Sequence, residues 1–237
     1  MEEIKRKMIQ YWSQRTDDFS AQRCREFKSP KRQLWLEEFR NYIPMNQSLR
    51  ILDVGTGTGF FANMLALEGH QTVGIDLTAS MIEEARRKAD LYHVPAVFYV
   101  MDAETPDFPE ASFDVIISRN LTWALPNLKK AYTAWRRLLK KGGLLLNFDA
   151  DYCHEKNDAV LPPTHAHKHI APVLMNEYEQ MKQVLKQPAL RPQWDVQLLT
   201  EAGFERIHVD TSVWKRIYHD VDEFYNPTPI FCIAAYA

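Results

Sequence analysis

Three aspartates, Asp53, Asp76 and Asp102, each follow a short apolar run, and the alternating glycines of Gly55-Thr56-Gly57-Thr58-Gly59 come directly after the first. A dinucleotide loop has the spacing G-x-G-x-x-G, which seats a pyrophosphate on the helix N-terminus. Here the position of its last glycine holds Phe60. A carboxylate at Asp53, close to where a pyrophosphate would lie, repels phosphate and suits an ammonium or sulfonium group. Asp76 ends the second run, where a carboxylate can accept both hydroxyls of a ribose. Asp102 follows the third, placed to accept from the exocyclic amine of adenine. Acids after three successive strands describe a site for a cationic adenosyl ligand.

Those positions require strands to carry the acids and helices to return the chain. Strand patterns fall at Ile51–Asp53, Thr72–Asp76, Ala96–Met101, Phe113–Ser118 and Leu144–Phe148. Helical spacing of apolar residues separates them at Phe60–Glu68, Ser80–Tyr92 and Leu128–Lys140. Gly69 and the Gly142-Gly143 pair stand where helix C-termini are expected. Upstream, residues 2–27 read as one helix or two, with Ile4, Met8, Tyr11 and Trp12 on one face, and Lys31–Tyr42 as another. After the fifth strand, residues 149–172 hold four histidines and three prolines without a period and read as a long loop. A helix over Val173–Lys186 and a short one over Trp194–Ala202 follow. Phe204–Val213 and Ile230–Tyr236 read as closing strands, joined too briefly for a helical crossover of ordinary length and therefore antiparallel.

The ordered set resembles the class I S-adenosylmethionine-dependent methyltransferases. It is carried by Asp53-Val54-Gly55-Thr56-Gly57-Thr58-Gly59, Gly74-Ile75-Asp76-Leu77-Thr78-Ala79-Ser80-Met81 and Asp102-Ala103. Phe113-Asp114-Val115-Ile116, Leu138-Leu139-Lys140-Lys141-Gly142-Gly143 and the segment ending in Ala202-Gly203-Phe204 add to it. The resemblance implies an α/β, Rossmann-like, doubly wound sheet of seven strands, mostly parallel with an antiparallel final strand. N-terminal helices and an insertion after the fifth strand complete it. Residues 1–44 would then be a helical cover, 45–149 with 193–237 the cofactor-binding core, and 150–192 part of the substrate cover. It also implies that Gly55, Thr56, Gly57 and Gly59 pass under the methionine part of the cofactor and that Asp76 takes the ribose. Leu77 and Met81 would flank the adenine, with Asp102 and the Ala103 amide at its edge. Ser118 and Arg119 would lie beside the methionine moiety, and Tyr11 in the N-terminal segment would reach its carboxylate.

The acceptor site is less defined. Asn120 and Trp123 follow the fourth strand, where the acceptor should arrive. Arg191 with Trp194 offers a pair able to clamp an anionic or aromatic molecule. Candidates for a base, where one is needed, are Tyr152, His154, His165 and His167. The alternating histidines have no matching acid or cysteine cluster, so no metal site is expected. Ser118-Arg119-Asn120-Leu121 lacks the Pro-Pro-Tyr of DNA amino-methyltransferases. With a net charge of -2, nucleic acid is a poor partner. Cys24, Cys153 and Cys232 are far apart, no signal-peptide core opens the chain and no apolar run is long enough to span a membrane. The expectation is a cytoplasmic monomer or homodimer that methylates a small molecule and yields S-adenosylhomocysteine. Rival readings are a non-catalytic S-adenosylmethionine-binding regulatory module and a nicotinamide-dependent oxidoreductase.

Overall fold

The alternation of strand and helix after residue 49 builds one seven-stranded sheet. Its strands are β1 (Arg50–Val54), β2 (Gln71–Asp76), β3 (Val97–Val100), β4 (Phe113–Arg119), β5 (Leu139–Asp149), β6 (Glu205–Asp210) and β7 (Phe231–Tyr236). The computed structural model describes residues 2–154, 161–162, 170–185, 188–218 and 220–237. Strand order is β3-β2-β1-β4-β5-β7-β6. From β3 to β5 all pairs are parallel, whereas β7 runs antiparallel to both β5 and β6. This is the Rossmann-like doubly wound arrangement read from the sequence.

Strand side chains alternate between the faces, and the two faces bury different partners. Ile51, Val115, Ile117, Leu144, Leu146 and Phe148 point into one layer with Trp35 and Phe39 of α2 (Lys31–Arg40) and Phe61 of α3 (Phe60–Leu67). Leu52, Ile116 and Leu145 point into the other, against Tyr132 and Trp135 of α5 (Leu128–Leu138) and Leu199 of α7 (Gln193–Glu201). Trp35 and Phe39 are completely buried, so α2 belongs to the core rather than to a cover. The remaining helices are α1 (Glu2–Lys28), α4 (Ala79–Tyr92), α6 (Pro172–Val184) and α8 (Val213–Ile217). Helix α1 runs unbroken for 27 residues, ~40 Å at 1.5 Å per residue, long enough to cross the sheet's edge from end to end.

Several expectations need correction. Strand β5 begins at Leu139, five residues early, so Gly142 lies inside a strand rather than at a helix C-terminus. Its φ of 74° accompanies a register shift against β4 between Phe113 and Val115. The basic, glycine-rich spelling of residues 140–143 looks like a turn because this end of the strand is exposed. Helix α8 interrupts the segment between the closing strands.

Arg191 does not clamp a ligand. Its guanidinium is held by Asp195 at 2.8 and 2.6 Å, by the hydroxyl of Thr122 at 2.5 Å and by the Ala150 carbonyl at 3.2 Å, with Asp149 3.5 Å away. Burial disfavours its charge, but Asp149 and Asp195 outweigh that and raise its pKa. Trp194, expected beside it in the acceptor site, lines a separate groove with residues of α1 and α6. Arg191 thus joins α7 to the ends of β4 and β5. Replacing it by Ala strands two buried carboxylates, so urea unfolding should show a loss of about 3–5 kcal/mol, with no change specific to acceptor affinity in the protein that remains folded.

Candidate functional site

Between β1 and β4 the chain reverses the direction in which it adds strands, and the connections part at the carboxyl ends of those two strands. A cavity opens there, lined by the β1–α3 loop, the ends of β2 and β4, the segment after β3, and α1. Asp53 is 3 % exposed and holds the loop from beneath. Its Oδ2 accepts from the Thr56 hydroxyl at 2.6 Å and from the Ala62 amide in the first turn of α3 at 3.2 Å. The Gly57 amide donates to Asp76 Oδ2 at 3.0 Å, and Thr78 donates to Asp76 Oδ1 at 2.9 Å. Gly57 has a φ of 53°, and an added Cβ would lie 3.1 Å from the Phe19 ring. Conformation and space both select glycine there. Gly55, Thr56, Asp76, Leu77, Met81, Asp102 and Ala103 all line the cavity; Gly59 instead caps α3.

Helix α1 closes this half. Thr16 bonds Ser80 of α4 at 2.7 Å, and Lys88 donates to the Thr58 hydroxyl at 2.9 Å and the Ser20 carbonyl at 3.3 Å. Near the N-terminus, Lys5 pairs with Asp102 at 2.6 Å and Glu104 at 2.7 Å. One oxygen of the carboxylate expected at the adenine edge is thus held by the covering helix. Its other oxygen accepts from the Glu104 amide at 2.9 Å.

The β4 side is aromatic. Asn120, Trp123 and Tyr152 line it, joined by Tyr178 and Tyr218. Asn120 adopts a left-handed φ of 53°, which asparagine tolerates better than most residues. Its Oδ1 accepts from Tyr152, whose hydroxyl also accepts from Asn226 at 2.8 Å. Ser118 is fully buried outside the cavity lining, and its Oγ has no hydrogen-bond partner among the described residues. Arg119 also lines the cavity. It pairs with Glu26 of α1 at 2.8 Å, donates to the Tyr218 hydroxyl and lies over the rings of Trp35, Phe60 and Phe61. His154 bonds Asp151 at 2.7 Å and does not line the cavity. His165 and His167 lie outside the described residues. Among the described residues, no group of three or more His, Cys, Asp or Glu is arranged to hold a metal.

Sequence reasoning named Tyr11 and set Met8 and Trp12 on its helix face, but missed the rest of what α1 contributes. Lys5, Met8, Tyr11, Trp12, Arg15, Phe19 and Arg23 all face the cavity. Tyr11 stacks on Tyr178 with centroids 5.7 Å apart, and Arg15, 5 % exposed, donates to the Tyr11 hydroxyl at 3.1 Å. The signal was present. These positions recur at intervals of three and four, the period of one helix face, but the cations interleaved among the aromatics disguise a buried stripe as a solvated one.

Comparisons with known proteins agree with this geometry. The family model described as a methyltransferase domain matches residues 52–147. A malonyl-[acyl-carrier protein] O-methyltransferase of Erwinia billingiae is 30% identical over 128 residues, covering 53% of this chain and 49% of that protein. Aklanonic acid methyltransferase DauC of a Streptomyces species is 37% identical over 98 residues, covering 40% and 44%. The chain thus spans about half the length of the curated relatives it matches. Among solved structures, phosphoethanolamine N-methyltransferase 2 of Haemonchus contortus superposes with a TM-score of 0.65 at 21% identity, covering 85% of this chain and 52% of that one. That structure holds phosphomonomethylethanolamine and S-adenosylhomocysteine.

Burial raises the pKa of Asp53 to about 7, against the pull of Thr56 and the Ala62 amide. From the ordinary carboxylate range up to about 7, the folded chain keeps a proton that the unfolded chain has lost, so stability falls as pH rises and is flat above. Asp53→Asn removes that loss. At pH 8 the variant should be more stable by on the order of 1–2 kcal/mol, a rise of several degrees in Tm, and near pH 3.5 the advantage should vanish. Thermal melts across pH check it.

Proposed function

We propose that this chain, which carries a class I S-adenosylmethionine-dependent methyltransferase domain, transfers the cofactor's methyl group to a small-molecule acceptor and leaves S-adenosylhomocysteine. The observation that carries the reading is the convergence of Asp53, Asp76 and Asp102 on one cavity whose opposite wall is aromatic. The residues present fit the cofactor. Arg15 is buried in the lining, its Nε has no hydrogen-bond partner among the described residues, and it suits the cofactor's carboxylate. The relatives named above act on small or carrier-bound molecules, and a net charge of -2 favours such acceptors over nucleic acid. Among the described residues no helix is long and apolar enough to cross a membrane. Among the described residues no disulfide joins Cys24, Cys153 and Cys232, which suits a reducing cytoplasm. We take the working unit to be a monomer or homodimer.

When bound, S-adenosylmethionine supplies an electrophilic methyl group on a sulfonium. The protein's tasks are alignment and exclusion of water. Asp76 holds the ribose hydroxyls, Leu77 and Met81 enclose the adenine, and the bare backbone of residues 55–57 lets the methionine chain lie close. Asp53 places negative charge beneath the cationic end. Asn120 and Tyr152, locked to each other, set the acceptor's approach beyond the end of β4, with Trp123 behind them. Tyr152 is the described candidate for a proton acceptor. His154 does not line the cavity.

Calorimetry should show binding of S-adenosylmethionine and S-adenosylhomocysteine and none of NAD; the reverse pattern overturns the reading. Asp76→Ala, which removes two charge-assisted hydrogen bonds, should weaken both ligands on the order of 100-fold. The two ligands differ by one positive charge at sulfur, and only an ionised Asp53 attracts it. With a pKa of about 7 for Asp53 in the empty site, the preference for S-adenosylmethionine over its product should rise several-fold from pH 6 to pH 8. Asp53→Asn should flatten that rise.

A further inference from the structure

The β4 side of the cavity carries a positive charge that the protein does not neutralise. Glu26 is completely buried, and both of its oxygens are occupied. Oε1 accepts from Arg119 at 2.8 Å, from Tyr218 at 3.0 Å and from Trp35 at 3.4 Å, while Oε2 accepts from Arg23. Two guanidinium groups therefore share one carboxylate. Arg23 and Arg119 both line the cavity, with side chains only 15% and 9% exposed. Neither has a second acidic partner among the described residues, and the Nε of Arg119 donates to nothing there. The cavity's own carboxylates, Asp53, Asp76 and Asp102, belong to the ends of β1 and β2 and the segment after β3. Around Arg119 the lining is Phe60, Phe61 and Tyr218.

From this arrangement we infer that the acceptor is an anion with a flat apolar body, its acidic group seated on Arg23 and Arg119 and its body lying against the surrounding rings. The inference deepens the methyl-transfer reading and rests on it. Burying an unpaired guanidinium is costly, and a helix pinned only for stability needs one cation per carboxylate. The second cation is accounted for once a ligand brings the missing negative charge, and a paired guanidinium cluster suits a carboxylate or phenolate better than an ammonium group. Burial, with Arg23 adding to it and Glu26 opposing it, lowers the pKa of Arg119 to about 10, as expected of a charge still short of a counterion. An ammonium acceptor would meet two guanidinium groups whose one paired carboxylate, Glu26, is already fully engaged, while Asp53, the cavity acid that Arg119 acts on electrostatically, lies beneath the β1–α3 loop.

The test uses the protein saturated with S-adenosylhomocysteine and three probes of one shape: 2-naphthoate, 2-naphthamide and 2-naphthylmethylammonium. Calorimetry at pH 7.5 should show the naphthoate binding at least tenfold more tightly than the amide and no binding of the ammonium. In Arg23→Gln the naphthoate-to-amide ratio should fall to within about twofold, while affinity for S-adenosylhomocysteine, which also reports that the variant is folded, stays within a factor of two. Equal binding of amide and naphthoate by the unaltered protein, tighter binding of the ammonium, no naphthoate binding, or an undiminished ratio in Arg23→Gln would each overturn the inference. Failure to bind S-adenosylhomocysteine at all would instead overturn the methyl-transfer reading.

Discussion

A parallel sheet leaves the carboxyl ends of its strands without a ladder to continue, and between β1 and β4 no connection crosses that edge. Everything chemical in the molecule follows from this gap. The loop after β1 must turn at once into α3, so its glycines take left-handed backbone angles that most residues avoid, and the Gly57 amide turns toward Asp76. A bare edge lined by carboxylates and aromatic rings would be wet and open, so a separate element has to cover it. Helix α1 does so with two charged anchors at opposite ends, Lys5 on the segment after β3 and Glu26 on Arg119 at the end of β4. The cover is thus fastened to the same strand ends that carry the site. Asp102 at one end and Arg119 at the other thus both line the cavity and hold α1.

Asp53 shows how this geometry is held at a cost. Buried beneath the loop, it organises Thr56 and the first turn of α3 by accepting their hydrogen bonds, and for that task a neutral amide would serve. Burial that raises its pKa to about 7 leaves it, on the proposed reading, able to ionise when a cation binds above it. Tension between folding and binding at one carboxylate is characteristic of sites that select a charged ligand.

The sequence made the cofactor half of the cavity readable because each residue there performs a local task. An acid ends a strand, a glycine makes a turn, and the order Asp53, Asp76, Asp102 survives in the one-dimensional pattern. The aromatic half is assembled from α1, the end of β4, Tyr152, α6, Tyr218 and residues 224–227, and no spacing rule brings such distant pieces together. Arg191 and Trp194 illustrate the converse failure. An arginine near a tryptophan after a proline-rich stretch has the makings of a ligand clamp, yet Asp195, four residues on, was waiting as its buried partner. The i to i+4 spacing of that pair was visible, and for a helix it argues first for an internal ion pair. The early start of β5 was hidden for a simpler reason: exposed strand ends carry the same lysines and glycines as turns.

Charge also constrains how an anionic acceptor could be used. A guanidinium that grips the reacting atom holds its lone pair in the ground state and must release it as the new bond forms. Such binding lowers the energy of the bound reactant more than that of the transition state, and by itself slows the chemical step. The arrangement at Arg23 and Arg119 avoids this only if the anchored oxygen is not the one that attacks, or if the guanidinium groups contact one oxygen of a carboxylate and leave the other directed at the sulfonium. Asn120, held in its left-handed conformation and bonded to Tyr152, stands beside Arg119 in sequence at the end of the same strand. A neutral amide so fixed can orient an attacking atom without withdrawing its electrons. On this argument the guanidinium pair confers selectivity for the anion, and the Asn120–Tyr152 pair governs the angle of attack. Removing the first should therefore act on acceptor affinity, and loosening the second on turnover.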